Sequence, residues 1–254
     1  MSAPRSVADP FAKGFTWSYS RLKNFETCPK RHYHIDMKRD VYEEPSEAVL
    51  WGNALHDALA HAIGTDDNHL RHPRDKIDLK PLPPDYARFQ PWVARLHAAR
   101  GGGGKVYVEQ GLAVTRDFKP TGWFDHNVWF RAKVDAIVLT ADERVAAGFD
   151  WKTGKRVEDS PQLMMAAITI MAHYPKVEAV RTEFVWLKEM RDDAPFDCTD
   201  RVSFRRGDMA AMWNGLAPRV SLLERAYEER SYPARPSGLC RRWCPVSTCE
   251  HHGR

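Results

Sequence analysis

Apolar positions recur at three- to four-residue spacing in "WSYSRLKNFETC", where Leu22, Phe25 and Cys28 fall on about one helix face behind Ser18 as N-cap. Pro29 marks the end of that helix. A second helix is predicted across "SEAVLWGNALHDALAHAIG", closed by Gly64, and a third across "DYARFQPWVARLHAAR", interrupted at Pro91. Residues 66–84, rich in proline, histidine and charge, read as loop. From Lys105 the pattern turns β-like: "KVYVEQGLAV", "VWFRAKVDAIVLT" and "RVAAGFDWK" are β-branched and aromatic, and "ADER" joins the last two. "DSPQLMMAAITIMAHY" returns to helix, with Asp159 or Ser160 as cap and Pro161 in the first turn. "EAVRTEFVWLKEM" is a further strand, "CTDRVSFRR" an edge strand, and "GDMAAMWNGLAPRVSLLERAYEER" a long helix bent at Pro218.

The 254 residues suffice for one large domain with a stapled end. No apolar run approaches the roughly 18 residues of a membrane span, and "MSAPRSVADPFAKGF" lacks the pattern of a secretory leader. A cytoplasmic protein of a bacterial or phage-infected cell is expected, with a flexible start over 1–15. The net charge of +4 suits a polyanionic partner without requiring one. Gly101–Gly104 followed by Lys105 invites a phosphate-loop reading, but Val106 stands where Ser or Thr is needed, so a flexible helix-to-strand linker is expected. Of five cysteines, three lie in the last fifteen residues, "CRRWCPVSTCEHHGR". In a reducing compartment such crowding points to metal or cluster ligation rather than disulfides.

The strongest chemistry lies around "AGFDWKTGK". In a strand Asp150 and Lys152 share one face, and Phe149 and Trp151 the other. If Asp142 and Glu143 form a two-residue hairpin turn, counting outward sets Asp135 opposite Asp150, with Cβ atoms about 5 Å apart. Two carboxylates that close repel unless a cation joins them, and a divalent ion with hard oxygen ligands is the economical answer. Lys152 beside it would stabilise charge developing on a phosphate or help activate a water. The bland alternative is a surface ion pair at a strand end.

Asp135 followed by Asp150-x-Lys152 on the next strand resembles the PD-(D/E)XK nuclease pattern, and "DWKTGK" resembles its RecB-like form. The resemblance implies an α/β restriction-endonuclease-like core: a mixed central sheet flanked by helices, with a helical N-terminal portion. It matches the family's helical histidine to His56 in "GNALHDALAH", its glutamine after the lysine strand to Gln162, and an acid on the preceding strand to Glu109. Where the family often has a tyrosine four positions after that glutamine, this chain has Ala166. The segment "SYSRLKNFETCPKRHYH" is similar to iron-sulfur members of the group, among them AddB-type helicase-nuclease subunits and CRISPR-associated adaptation nucleases. Their one early and three late cysteines match Cys28 with Cys240, Cys244 and Cys249, the middle late ligand being shifted. Four thiolates suit a four-iron four-sulfur (4Fe-4S) cluster or a tetrahedral zinc, and would clasp the two chain ends. Cys198 is a spare thiol.

The expectation is one nuclease domain over 1–254. It comprises a helical portion 16–104, a catalytic core 105–190, and a cysteine-rich clasp 232–254 acting with Cys28. His56, Asp135 and Asp150 would hold Mg²⁺ or Mn²⁺, Lys152 would assist the nucleophile, and Gln162 and Glu109 would support the site. The substrate would be DNA, as single strands or duplex ends, with a helicase, recombinase or single-strand-binding protein as conceivable partners. The rivals are a non-catalytic DNA-binding or scaffolding protein of the same fold, and a zinc-stapled nuclease. Taken singly, His56 would be a partly buried core histidine, Gln162 a surface amide, and Arg205, Arg206, Arg241 and Arg242 solvated cations.

Overall fold

The computed structural model describes residues 9–12, 14–66 and 81–254. The flexible start expected over 1–15 and the loop expected over 66–84 fall largely outside them. Among the described residues six α-helices run in chain order: α1 Tyr19–Thr27, α2 Pro29–His32, α3 Glu47–Ile63, α4 Gln90–Gly101, α5 Ser160–His173 and α6 Met209–Glu228. Six strands form one sheet: β1 Lys105–Val114, β2 Pro120–Thr121, β3 Phe130–Leu139, β4 Val145–Lys152, β5 Ala179–Trp186 and β6 Thr199–Arg205. The chain divides into two compact units, Pro45–Trp213 and the paired ends Met1–Glu44 with Asn214–Arg254.

Local sequence explains most boundaries. Ser18 and Ser46 cap α1 and α3 by accepting from the N–H groups of Arg21 and Val49, and Gly64 ends α3 with a positive φ. Pro29 ends α1 as expected but also opens α2, where its missing N–H costs nothing. The third helix divides into a 3₁₀ turn, Pro84–Phe89, and α4, with Pro91 in the first turn of the latter. The glycine run is a tight turn: Gly103 has φ +84°, and a Cβ on Gly104 would come within 2.7 Å of the Leu139 carbonyl oxygen.

In the sheet-bearing unit the strand order is β2-β1-β3-β4-β5-β6, with only β4 and β5 parallel. β1, β3, β4 and β5 carry buried residues on both faces. Phe149, Trp151 and Val185 pack with Leu55, Leu59, Trp92 and Leu96 from α3 and α4. Phe184 and Trp186, on the opposite face, pack with Leu163 of α5. The result is a sheet between helical layers, the mixed α/β architecture expected. β6 is the edge strand.

In the unit made by the chain ends, Leu22, Phe25, Leu216, Val220, Leu223 and Val246 are buried. Phe11 packs on Tyr33 and Tyr227, and Tyr33 stacks on Tyr232 at 5.1 Å. Glu26 receives two bonds from Arg219, at 2.6 and 2.8 Å. No helix among the described residues is long and apolar enough to cross a membrane.

Candidate active site

The β3–β4 hairpin keeps the register expected from arithmetic, with Leu139 opposite Ala146 and Ala136 opposite Phe149. Its loop is longer than the two residues expected. Thr140 and Val145 close it, the Thr140 N–H donating to the Val145 carbonyl at 3.0 Å and the Val145 N–H to Thr140 Oγ1 at 3.1 Å. Residues 141–144 span it, and lengthening a hairpin loop symmetrically leaves the pairing unchanged.

The ladder between β3 and β4 runs out at Ala136–Phe149, while β1–β3 pairing continues to Val114–Phe130 and β4–β5 pairing to Lys152–Trp186. The sheet therefore forks beside Asp135 and Asp150, the next positions in the register. The Trp151 N–H, which has lost its place in the β3–β4 ladder, donates to Asp135 Oδ2 at 2.7 Å. That bond fixes the aspartate's rotamer and satisfies a buried donor.

His56 enters the fork from α3, its Nδ1 lying 3.4 Å from Asp135 Oδ2. Gly52, one turn earlier, permits this approach: a Cβ there would meet Thr153 Oγ1 at 2.7 Å. Glu109 comes from β1, where the ladder pairs Val108 with Ala136 and Gln110 with Val134 but skips the Glu109–Asp135 position. Glu109 has φ +55°, an unfavourable backbone for a residue with a Cβ, and its side chain is turned into the fork. His56, Glu109 and Asp135 each offer a ligand atom, all within 4.8 Å of one another.

Asp150, Lys152 and Gln162 form a second, adjoining set. Asp150 Oδ2 accepts from Gln162 Nε2 at 2.6 Å and from Lys152 Nζ at 3.0 Å, and Lys152 also donates to Gln162 Oε1 at 3.2 Å. The Lys152 ammonium sits 4.6 Å from the centre of the Phe184 ring. Asp150 and Lys152 do share a strand face, with Gln162 delivered by the first turn of α5. Of the expected ligands His56, Asp135 and Asp150, the first two lie with Glu109 in one group, and Asp150 lies in the adjoining set. The Asp150 carboxylate accepts from Lys152 and Gln162 in this ion-free arrangement.

The charges are strongly coupled. Burial and the neighbouring Asp135 push Glu109 up to about 7, against the pull of Lys133. Burial and Asp135 likewise push Asp150 up to about 6, against Lys152. Burial opposes a charge on His56, yet the hydrogen bond and charge of Asp135, with Glu109 and Asp150, raise it to about 9. Glu109 Oε1 is buried without a hydrogen-bond partner, while Oε2 is ion-paired to Lys133. Two buried carboxylates with an orphaned oxygen and an imidazole fit a hard divalent ion such as Mg²⁺ or Mn²⁺. Lys133 and Gly52 were missed from sequence. The alternation of Lys133 with Asp135 along β3 was the available signal for the former.

Cys28, Cys240, Cys244 and Cys249 line one cavity in the unit of the chain ends, with Lys30 and His251 also at its wall. The Arg235 N–H donates to Cys28 Sγ and the Ser237 N–H to Cys240 Sγ, both at 3.4 Å. All five cysteines are free thiols, and Cys198 is buried elsewhere, donating to the Pro195 carbonyl at 3.4 Å.

The sequence profile of the PD-(D/E)XK nuclease superfamily matches residues 16–249. No match was found among curated proteins. Among solved structures, a protein from Eubacterium rectale designated an exonuclease is similar, with 14% identity and a TM-score of 0.47 over 95% of this chain and 93% of that one.

Proposed function

The chain belongs to the PD-(D/E)XK nuclease superfamily, and from that premise we propose that it is a divalent-metal-dependent deoxyribonuclease acting on single strands or duplex ends. The observation that carries the reading is the adjacency of the His56–Glu109–Asp135 ligand group to the Asp150–Lys152–Gln162 set. His56, Glu109 and Asp135 would hold Mg²⁺ or Mn²⁺, with Asp150 and the Trp151 carbonyl as further oxygen donors. When bound, the ion supplies positive charge to the phosphate oxygens and acidifies water. Lys152, held by Asp150 and Gln162, directs its ammonium at the charge that develops on the phosphate. Gln162 keeps the lysine and the aspartate in one geometry, and the Trp151 N–H keeps Asp135 from turning. Recognition would rest on phosphate charge, so binding should weaken steeply with salt.

End-labelled linear DNA and circular DNA incubated with Mg²⁺, Mn²⁺ or chelator test this reading. Linear DNA should be digested only with the ions and circular DNA should resist, while Asp150→Ala should bind DNA without cutting it. Intact linear DNA with both ions, or full-rate cleavage by the variant, would overturn it.

We further propose that Cys28, Cys240, Cys244 and Cys249 hold a four-iron four-sulfur cluster. Four thiolates around one cavity, two of them receiving backbone N–H bonds, support this. Anaerobic purification should give brown protein containing iron and acid-labile sulfide; colourless protein containing zinc would decide for the rival.

A further inference from the structure

The pairing of Lys133 with Glu109 is not explained by the roles assigned above. Lys133 lies on β3 two residues before Asp135, so both face the same side of the strand. Its side chain is 46% exposed, whereas that of Glu109 is 8% exposed, so the lysine reaches inward from solvent to a buried carboxylate. The fork frees this part of β3 from β4, leaving Arg131 half-buried and Lys133 exposed beyond the last β3–β4 pair. Arg131, on the same side, is tied down, with its Nε donating to the Trp123 carbonyl at 2.8 Å and its guanidinium over the Trp123 ring. Lys133 is a long, flexible cation paired to Oε2 of the carboxylate that the proposed ion would also use, while Oε1 has no hydrogen-bond partner.

We propose that Lys133 is a displaceable counter-ion, which pairs with Glu109 when no divalent ion is bound and turns to a DNA phosphate when one is. This inference rests on the metal-dependent reading of the site and assigns a residue outside its ligand set. An ion at Glu109 would neutralise the carboxylate that attracts the lysine and repel its ammonium, so the lysine and the metal compete for one charge. The released ammonium then stands at the mouth of the fork, where a phosphodiester bound over the ion would pass. Metal loading would thereby strengthen DNA binding through the protein itself, in addition to any contact the ion makes.

Direct Mn²⁺ binding to DNA-free protein, read by electron paramagnetic resonance of the free ion, tests the first half without any cleavage. Lys133→Met and Lys133→Gln should each bind Mn²⁺ about 3- to 10-fold more tightly than wild type, and Lys133→Arg should stay near wild type. DNA binding measured in Ca²⁺ tests the second half. Lys133→Met should bind more weakly, and its salt slope should fall by about one phosphate contact. In wild-type protein carrying ¹³C-dimethylated lysines, the Lys133 resonance should shift on adding Mg²⁺, a reading that needs no variant. Unchanged or weaker Mn²⁺ binding in Lys133→Met and Lys133→Gln would overturn the proposal, as would an unchanged salt slope or an unmoved resonance. If wild type itself binds no Mn²⁺, the metal reading of the site fails, an outcome distinct from failure of the lysine alone.

Discussion

The fork and the cysteine cavity, the two proposed ligand sets, are both assembled from distant parts of the chain, but they stand on different foundations. His56, Glu109 and Asp135 project from α3, β1 and β3, and behind them lie fully buried residues such as Leu55, Trp92, Val108, Ala136 and Trp151. Cys28 is the single residue between α1 and α2, Cys240 lies in the short 3₁₀ turn Gly238–Arg241, and Cys244 and Cys249 lie on irregular chain, all four half-buried. A hydrophobic core can hold ligands at a fixed spacing whether or not they have an ion to bind, at the expense of burying their charges. Irregular chain with few buried side chains needs the bond to its metal to stay ordered. An ion bound at the fork would be a reagent on a preformed scaffold, and a cluster at the cavity would be part of the scaffold.

The comparison breaks most visibly at Lys152. Lys152→Ala should lower kcat by about 10²- to 10⁴-fold while the thermal midpoint stays within a few degrees of wild type. Single-turnover cleavage with matched melting curves measures both, and a large loss of stability would show that the fork also depends on its polar groups for folding. Cys244→Ser should act in the opposite sense. It should abolish the brown colour and open the segments around the chain ends to protease, which mass spectrometry of the fragments would locate; an unchanged fragment pattern would place the cavity on the same footing as the fork.

A pH series sharpens the electrostatic side. The folded chain holds protons on Asp150 and Glu109 up to about 6 and 7, whereas the unfolded chain loses them in the ordinary carboxylate range. It therefore carries the extra protons through that window, and these groups withdraw stability as the pH rises across it. His56, raised to about 9 from an ordinary value near 6.5, has the same sign higher up: its contribution is full below 6.5 and lost as the pH passes 9. The difference in thermal midpoint between Glu109→Gln and wild type should thus shift in favour of the variant from about pH 5 to 8, and Mg²⁺ should shrink it. The smallest effect is expected at Gly52. In Gly52→Ala the added methyl meets Thr153, and better helix propensity partly offsets the clash, for a net loss of about 0–2 kcal/mol. Mn²⁺ binding should nonetheless weaken, because the displaced helix carries His56.

Much of the fold was legible because its signals are local. Ser18, Ser46 and Gly64 bound their helices through caps, and alternation located β1, β3 and β4 within two residues. The alignment of Asp135 with Asp150 was legible too, since a hairpin converts sequence distance directly into register. The glycine run showed the limit of that approach: composition suggested flexibility, and the carbonyl of Leu139, pressed against Gly104, makes it a tight turn.

By itself, the amino-acid sequence determined the strands, the helix ends and the aspartate and lysine on one strand face, since each depends on neighbours within a turn or a hairpin. Tertiary structure alone decided that the ladder would end at Ala136–Phe149, that Glu109 would adopt a left-handed backbone and join His56 and Asp135, and that Lys133 would reach it. Those outcomes depend on where α3 seats against Thr153 and on which buried charges find partners. Both are balances among residues distant in the chain, and no local pattern encodes them.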